Sequence, residues 1–150
     1  MSNYVRFRFF DEGDGTGELE AAFSADGFAG TGRAYFDVAR LSDRVNELAA
    51  FPLPSPNGIE IQGGYWESTG GADVLIQEHI GLTVRPAGAT GNLALSLRVA
   101  MPGKDSKEPP RYSASAQLPT SYEALARFAA EMKALLKGEV SEVVLEADRG

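Results

Sequence analysis

The sequence predicts an α+β fold, a mostly antiparallel sheet of about eight strands with two helices packed on one face. Three observations carry this expectation. Most of the chain alternates apolar and polar residues with period two, two stretches switch to helical spacing, and turns rich in Gly, Pro and Asp separate the segments. The 150 residues suit a single α+β domain over 1–150, and a chain of this size buries about 70% of its unfolded surface, enough for a core without staples.

Residues 3–10, NYVRFRFF, put Val5, Phe7 and Phe9 on one side and Tyr4, Arg6 and Arg8 on the other, as a half-buried strand does. After the turn DEGDGTG, residues 18–24 alternate again, and Asp26 and Gly27 turn the chain into a third strand over 28–36. Over 37–51 the period becomes helical: Val38, Leu41, Val45 and Leu48 share a side opposite Arg40, Asp43, Arg44 and Glu47. Three prolines in FPLPSPNG end that helix. Strands are expected at 59–66, 74–85, 92–101 and 111–118, with PGKDSKEPP between the last two as the best candidate for a mobile loop. A second helix is expected over 121–137. Thr120 and Glu123 stand at capping-box spacing, Tyr122, Leu125, Ala129, Met132, Leu135 and Leu136 form its apolar stripe, and Gly138 is its stop. Val143, Val144 and Leu145 form a final strand.

The helices match at a constant offset of 84: Leu41 with Leu125, Glu47 with Glu131, Leu48 with Met132 and Phe51 with Leu135. The offset continues into the following strands, pairing Ile59 with Val143 and Ile61 with Leu145, while T16-G-E-L19 resembles T90-G-N-L93. Two β-β-β-α-β halves, 1–67 and 73–148, would produce this pattern; chance recurrence of α+β periodicity produces it as readily. Gly30, Gly32 and Ala34 on the third strand, and Ala114 and Ala116 on the seventh, would let a helix approach the sheet closely.

With the helices on the apolar face, strand alternation places Arg6, Arg8, Glu18, Glu20, Glu60, Gln62, Trp66, Gln77, His79, Arg85 and Arg98 on the opposite one. One reading is a solvated face whose Arg and Glu pairs set strand register. The other is a protein-binding face formed by Arg6, Arg8, Glu60, Gln62, Trp66, Gln77, His79, Arg85 and Arg98, because Trp, Tyr and Arg anchor interfaces. Glu78 breaks the alternation between Ile76 and Ile80, which calls for a sheet edge or a bulge.

His79 is the single histidine. It lacks a triad-like neighbour and cannot build a multi-histidine zinc site; were it catalytic, Glu60, Glu67 or Glu78 would be its candidate orienting acid. The DEGDGTGE stretch has glycines where a calcium loop needs oxygen ligands and reads as a hairpin turn. GFAGTG lacks the order of a phosphate cradle, and the glycines of GGYW suit a bend or bulge that positions Tyr65 and Trp66. No catalytic residue, metal site or cofactor is expected. The absence of cysteine excludes disulfides and thiolate chemistry, and the net charge of −7 disfavours nucleic acid and anionic membrane as partners. With neither a signal-peptide pattern nor an apolar run of about 18 residues, the expected location is cytoplasmic.

The helix with spaced leucines, I59-x-I-x-G-G-Y-W66, Q77-x-H-I-x-L-x-V84, G91-N-L-A-L-S-L97 and L125-x-x-F-x-x-E-M-x-x-L-L-x-G138 together resemble small bacterial proteins of the WapI immunity type and related uncharacterised families. The resemblance covers roughly residues 37 to 138 and consists of apolar spacings, so no contact residue is carried over. It implies a cytoplasmic partner that binds and neutralises a toxin. The leading expectation is therefore a non-enzymatic bacterial binding protein, of the immunity kind, whose acidic charge steers a basic toxin domain. A structural domain that self-associates and an enzyme using His79 with a carboxylate are the alternatives.

Overall fold

In the computed structural model of the chain, residues 3–88 and 91–146 are described. Thr90, invoked in the repeat comparison, and positions 147–148 of the second proposed half lie outside them. The elements are β1 (Tyr4–Asp11), β2 (Thr16–Ala25), β3 (Phe28–Asp37), α1 (Val38–Leu48), β4 (Ile59–Thr69), β5 (Ala72–Pro86), β6 (Leu93–Ala100), β7 (Ser113–Thr120), α2 (Tyr122–Leu136) and β8 (Val143–Glu146).

The α+β class and the antiparallel pairing are as expected, but the strands are shared between two four-stranded sheets instead of joined in one. One sheet has the order β3-β2-β1-β8 and the other β4-β5-β6-β7. The element order β-β-β-α-β occurs twice, and each sheet combines a three-strand meander from one half with the last strand of the other. Thus β8 pairs with β1 as β4 pairs with β5. The residues matched at the offset of 84 are mostly buried in both halves, including Leu41, Leu125, Leu48, Met132, Ile61 and Leu145; Phe51 departs from its counterpart Leu135 by being exposed.

The division into two sheets rests on the small residues of β3. A Cβ at Gly30 would press on Val99 and Ala114, one at Gly32 would collide with the His79 carbonyl, and one at Gly63 would strike Ala34 and Phe36. Successive positions of β3 therefore meet β7 and β6, then β5, then β4. The stripe expected to admit a helix instead admits a strand, which crosses the apolar face of the second sheet at backbone distance. The helices pack against each other, α1 also against β3 and β4, and α2 against β1 and β8. Phe7 of β1 and Phe128 of α2 meet with ring centroids 5.5 Å apart inside one continuous core.

Local chemistry explains the helix ends. The Asp37 carboxylate accepts from Arg40 N at 3.0 Å and starts α1. For α2 the expected Thr120 cap is corrected: Ser121 is the cap, its hydroxyl accepting from Ala124 N at 3.1 Å, while Thr120 Oγ1 is buried without a partner among the described residues. Gly138, at φ +78°, stops the helix as expected, with Gly138 N donating to Leu135 O and Glu139 N to Ala134 O.

Candidate functional site

The bulge that Glu78 calls for is present. Gly63 pairs with Ile80 and Gly64 with Glu78, which leaves His79 as the extra residue on β5. That insertion turns Glu78 outward and Gln77 and His79 inward, the reverse of the alternation expected from sequence. A second register shift lies between Tyr65 and Trp66.

The nine residues expected on one binding face are consequently dispersed. Arg6 and Arg8 lie on the outer face of the first sheet, where Arg8 bonds Glu142 at 3.2 Å. Glu60, Gln62 and Arg98 lie on the outer face of the second, joined by Glu78. Arg85 is exposed near the end of β5, Trp66 is exposed on the β4–β5 hairpin, and Gln77 and His79 are buried. Two sheets replace one, a bulge reverses part of β5, and the β4–β5 hairpin carries Trp66 beyond the sheet.

On the outer face Arg98 is the hub. It donates to Glu78 at 2.7 and 3.2 Å, to Thr83 Oγ1 at 3.2 Å and to Glu60 at 3.4 Å, and Gln62 adds a 2.7 Å bond to Glu78. Burial pushes the Glu78 carboxyl upward, but the bonds from Arg98 and Gln62 and the Arg98 charge outweigh it and hold the group below the ordinary carboxylate range. This cluster satisfies itself and sets the register of three strands.

The β4–β5 hairpin extends past the sheet. Between residues 72 and 78 β5 pairs with β4 alone, since β6 joins β5 only from Ile80. The resulting two-stranded arm ends at Gly70 and Gly71 and carries Trp66, Val74 and Ile76, which are 49%, 46% and 42% exposed.

Behind the arm, a cleft of about 830 Å³ opens between β3, the bulge and the segments flanking the β6–β7 connection. Its lining includes Tyr35, Tyr65, His79, Met101 and Tyr112. His79, only 3% exposed, is held by a network that assigns its tautomer. Gln77 Oε1 accepts from Gly103 N at 2.9 Å and its Nε2 donates to Glu108 O, so the amide orientation is set by two backbone groups. The His79 Nε2 atom, 2.7 Å from the same Oε1, must therefore carry the proton and donate. Burial also lowers the imidazole below its ordinary value, which keeps it neutral. The Tyr65 ring stands edge-on to it at 4.6 Å. The same bonds join the connection expected to be mobile to β5 at two points.

The acids proposed to orient His79 do not do so. Glu78 and Glu60 are turned to the other face and bonded to Arg98, and Glu67 is exposed on the arm. Among the described residues Gln77 is the hydrogen-bonding partner of His79. Sequence reasoning passed over Tyr35, Tyr112 and Met101, whose relation to His79 arises only when β3 crosses the second sheet; the Gly30, Gly32, Ala34 stripe was the available signal. No protein-family model, curated protein or solved structure matches the chain.

Proposed function

We propose that the protein is a non-enzymatic binding protein of the cytoplasm that acts through contact with a partner protein, in the manner of small bacterial immunity proteins that neutralise a toxin. The observation that carries this reading is the arm. A two-stranded ribbon beyond its sheet has little stability of its own, yet this one displays a tryptophan and two aliphatic side chains to solvent. Tryptophan is a preferred interface anchor, and a partner closing on its face of the arm, which Leu75 shares, would bury it. Charge supports a basic partner: Arg8, Arg33 and Arg98 are matched with Glu142, Glu20 and Glu78, leaving the excess of the net −7 to act at a distance.

Calorimetric titration against the product of any toxin-like gene adjacent to the one for this protein tests the reading. Association is expected, and Trp66→Ala should weaken it by about 30-fold, the effect of removing an interface hot spot, with an unchanged circular dichroism spectrum. Lack of association by the unmodified protein would remove the immunity role. Light scattering that shows a stable dimer through the arm would instead favour the structural, self-associating reading.

A further inference from the structure

The cleft has a chemistry separate from the arm. We propose that it is a binding site for a free, neutral, planar aromatic molecule carrying an O–H or N–H donor, of the phenol or indole class. The inference goes beyond partner capture and does not depend on it.

Its first support is an unused acceptor. With His79 Nε2–H committed to Gln77, the ring presents Nδ1 as a bare lone pair, for which the described residues provide no hydrogen-bond partner. Thr120 Oγ1 is the buried side-chain polar atom among them left without a partner, so Nδ1 keeps accessible surface, and the cleft is the cavity that His79 lines. An acceptor on a residue this buried selects a ligand that can donate, because a ligand lacking a donor leaves it unsatisfied.

The walls specify the rest of the ligand. Ala29, Ala100 and Ala114 put methyl groups in place of bulky side chains on the lining, which suits a flat ring. Tyr35 and Tyr112 are exposed at the lining and make no ring contact among the described residues, so their faces are open for stacking. The charged lining residues, Glu18 and Arg33, pair with each other at 3.7 Å, and Arg33 also pairs with Glu20 at 2.6 Å, which favours a neutral ligand over an ion. A volume of about 830 Å³ exceeds what one inserted side chain fills and lies in the range of small-molecule sites.

The test uses the intact protein and two probes of one shape, 2-naphthol and its methyl ether, 2-methoxynaphthalene, followed by amide and imidazole NMR shifts. Saturable binding of 2-naphthol with shifts at Gly32, His79 and Gly103 is expected, and the ether should bind about tenfold more weakly, the worth of one hydrogen bond. His79→Phe should abolish that preference, so that the two probes bind alike; if this variant fails to fold, the comparison of probes on the unmodified protein still decides. Equal affinity for the two probes, no saturation up to about 1 mM, or shifts confined to Trp66 and the arm would each overturn the proposal.

Discussion

Arg98 on β6 donates to both carboxylate oxygens of Glu78 on β5, at 2.7 and 3.2 Å. The contact exists because the bulge at His79 turns Glu78 to the polar face. Arg98→Ala should destabilise the protein by about 1–2 kcal/mol at neutral pH, the strength of charged hydrogen bonds reduced by partial exposure. Because the folded carboxyl lies below its ordinary value, its contribution is complete above the ordinary carboxylate value and disappears as pH falls through the lowered one. Urea midpoints of the two proteins should therefore converge in acid; a difference that persists at all pH values would contradict the assignment.

His79 is the single histidine, so its C2–H proton gives one unambiguous NMR titration. Burial should place the midpoint below that of an ordinary imidazole. The unfolded chain then binds a proton before the folded one does. Its contribution to stability is complete above the ordinary imidazole value and declines as pH drops toward the folded value. A midpoint at or above that of a free imidazole would refute the buried, neutral ring.

Gly32 faces the His79 carbonyl across the sheet junction, where a Cβ would collide with backbone. Gly32→Ala should cost about 1–3 kcal/mol through overpacking. The adjacent, exposed Thr31 is a suitable control, and Thr31→Ala should stay within about 0.5 kcal/mol. Equal thermal midpoints for the two variants would argue against the crossing of β3.

Two neighbouring hydroxyls at the start of α2 should behave oppositely. Ser121→Ala removes the helix cap and should cost about 1 kcal/mol. Thr120→Val replaces a buried hydroxyl that has no partner by a group of the same shape, and should be neutral or stabilising. Chemical denaturation distinguishes this order from that of a Thr120 cap, which would reverse it.

Much of the fold was legible because it depends on local pattern. Val5 and Phe7, Leu19 and Phe23, and Leu95 and Leu97 reveal strands by alternation, and Leu41, Val45 and Leu48 reveal a helix by spacing. Glu78 announced its bulge by breaking the alternation, and Gly63 and Gly64 lie opposite it. The candidate sites were less legible. Arg6 and Arg98 occupy equally polar strand positions yet stand on different sheets, and Gln77 and His79 look outward until one extra residue reverses them.

By itself, then, the sequence determined the α+β class, the antiparallel strands, the two helices, the net charge and the absence of thiol chemistry, all properties of composition or of a period a few residues long. Only the tertiary structure decided that β3 crosses the second sheet, that the last strand of each half joins the meander of the other, and that His79 meets Tyr65 beside a cleft. Those relations depend on contacts between residues far apart in the chain, where glycines 30 and 32 matter for the space they leave, and no local period records which distant strand will fill it.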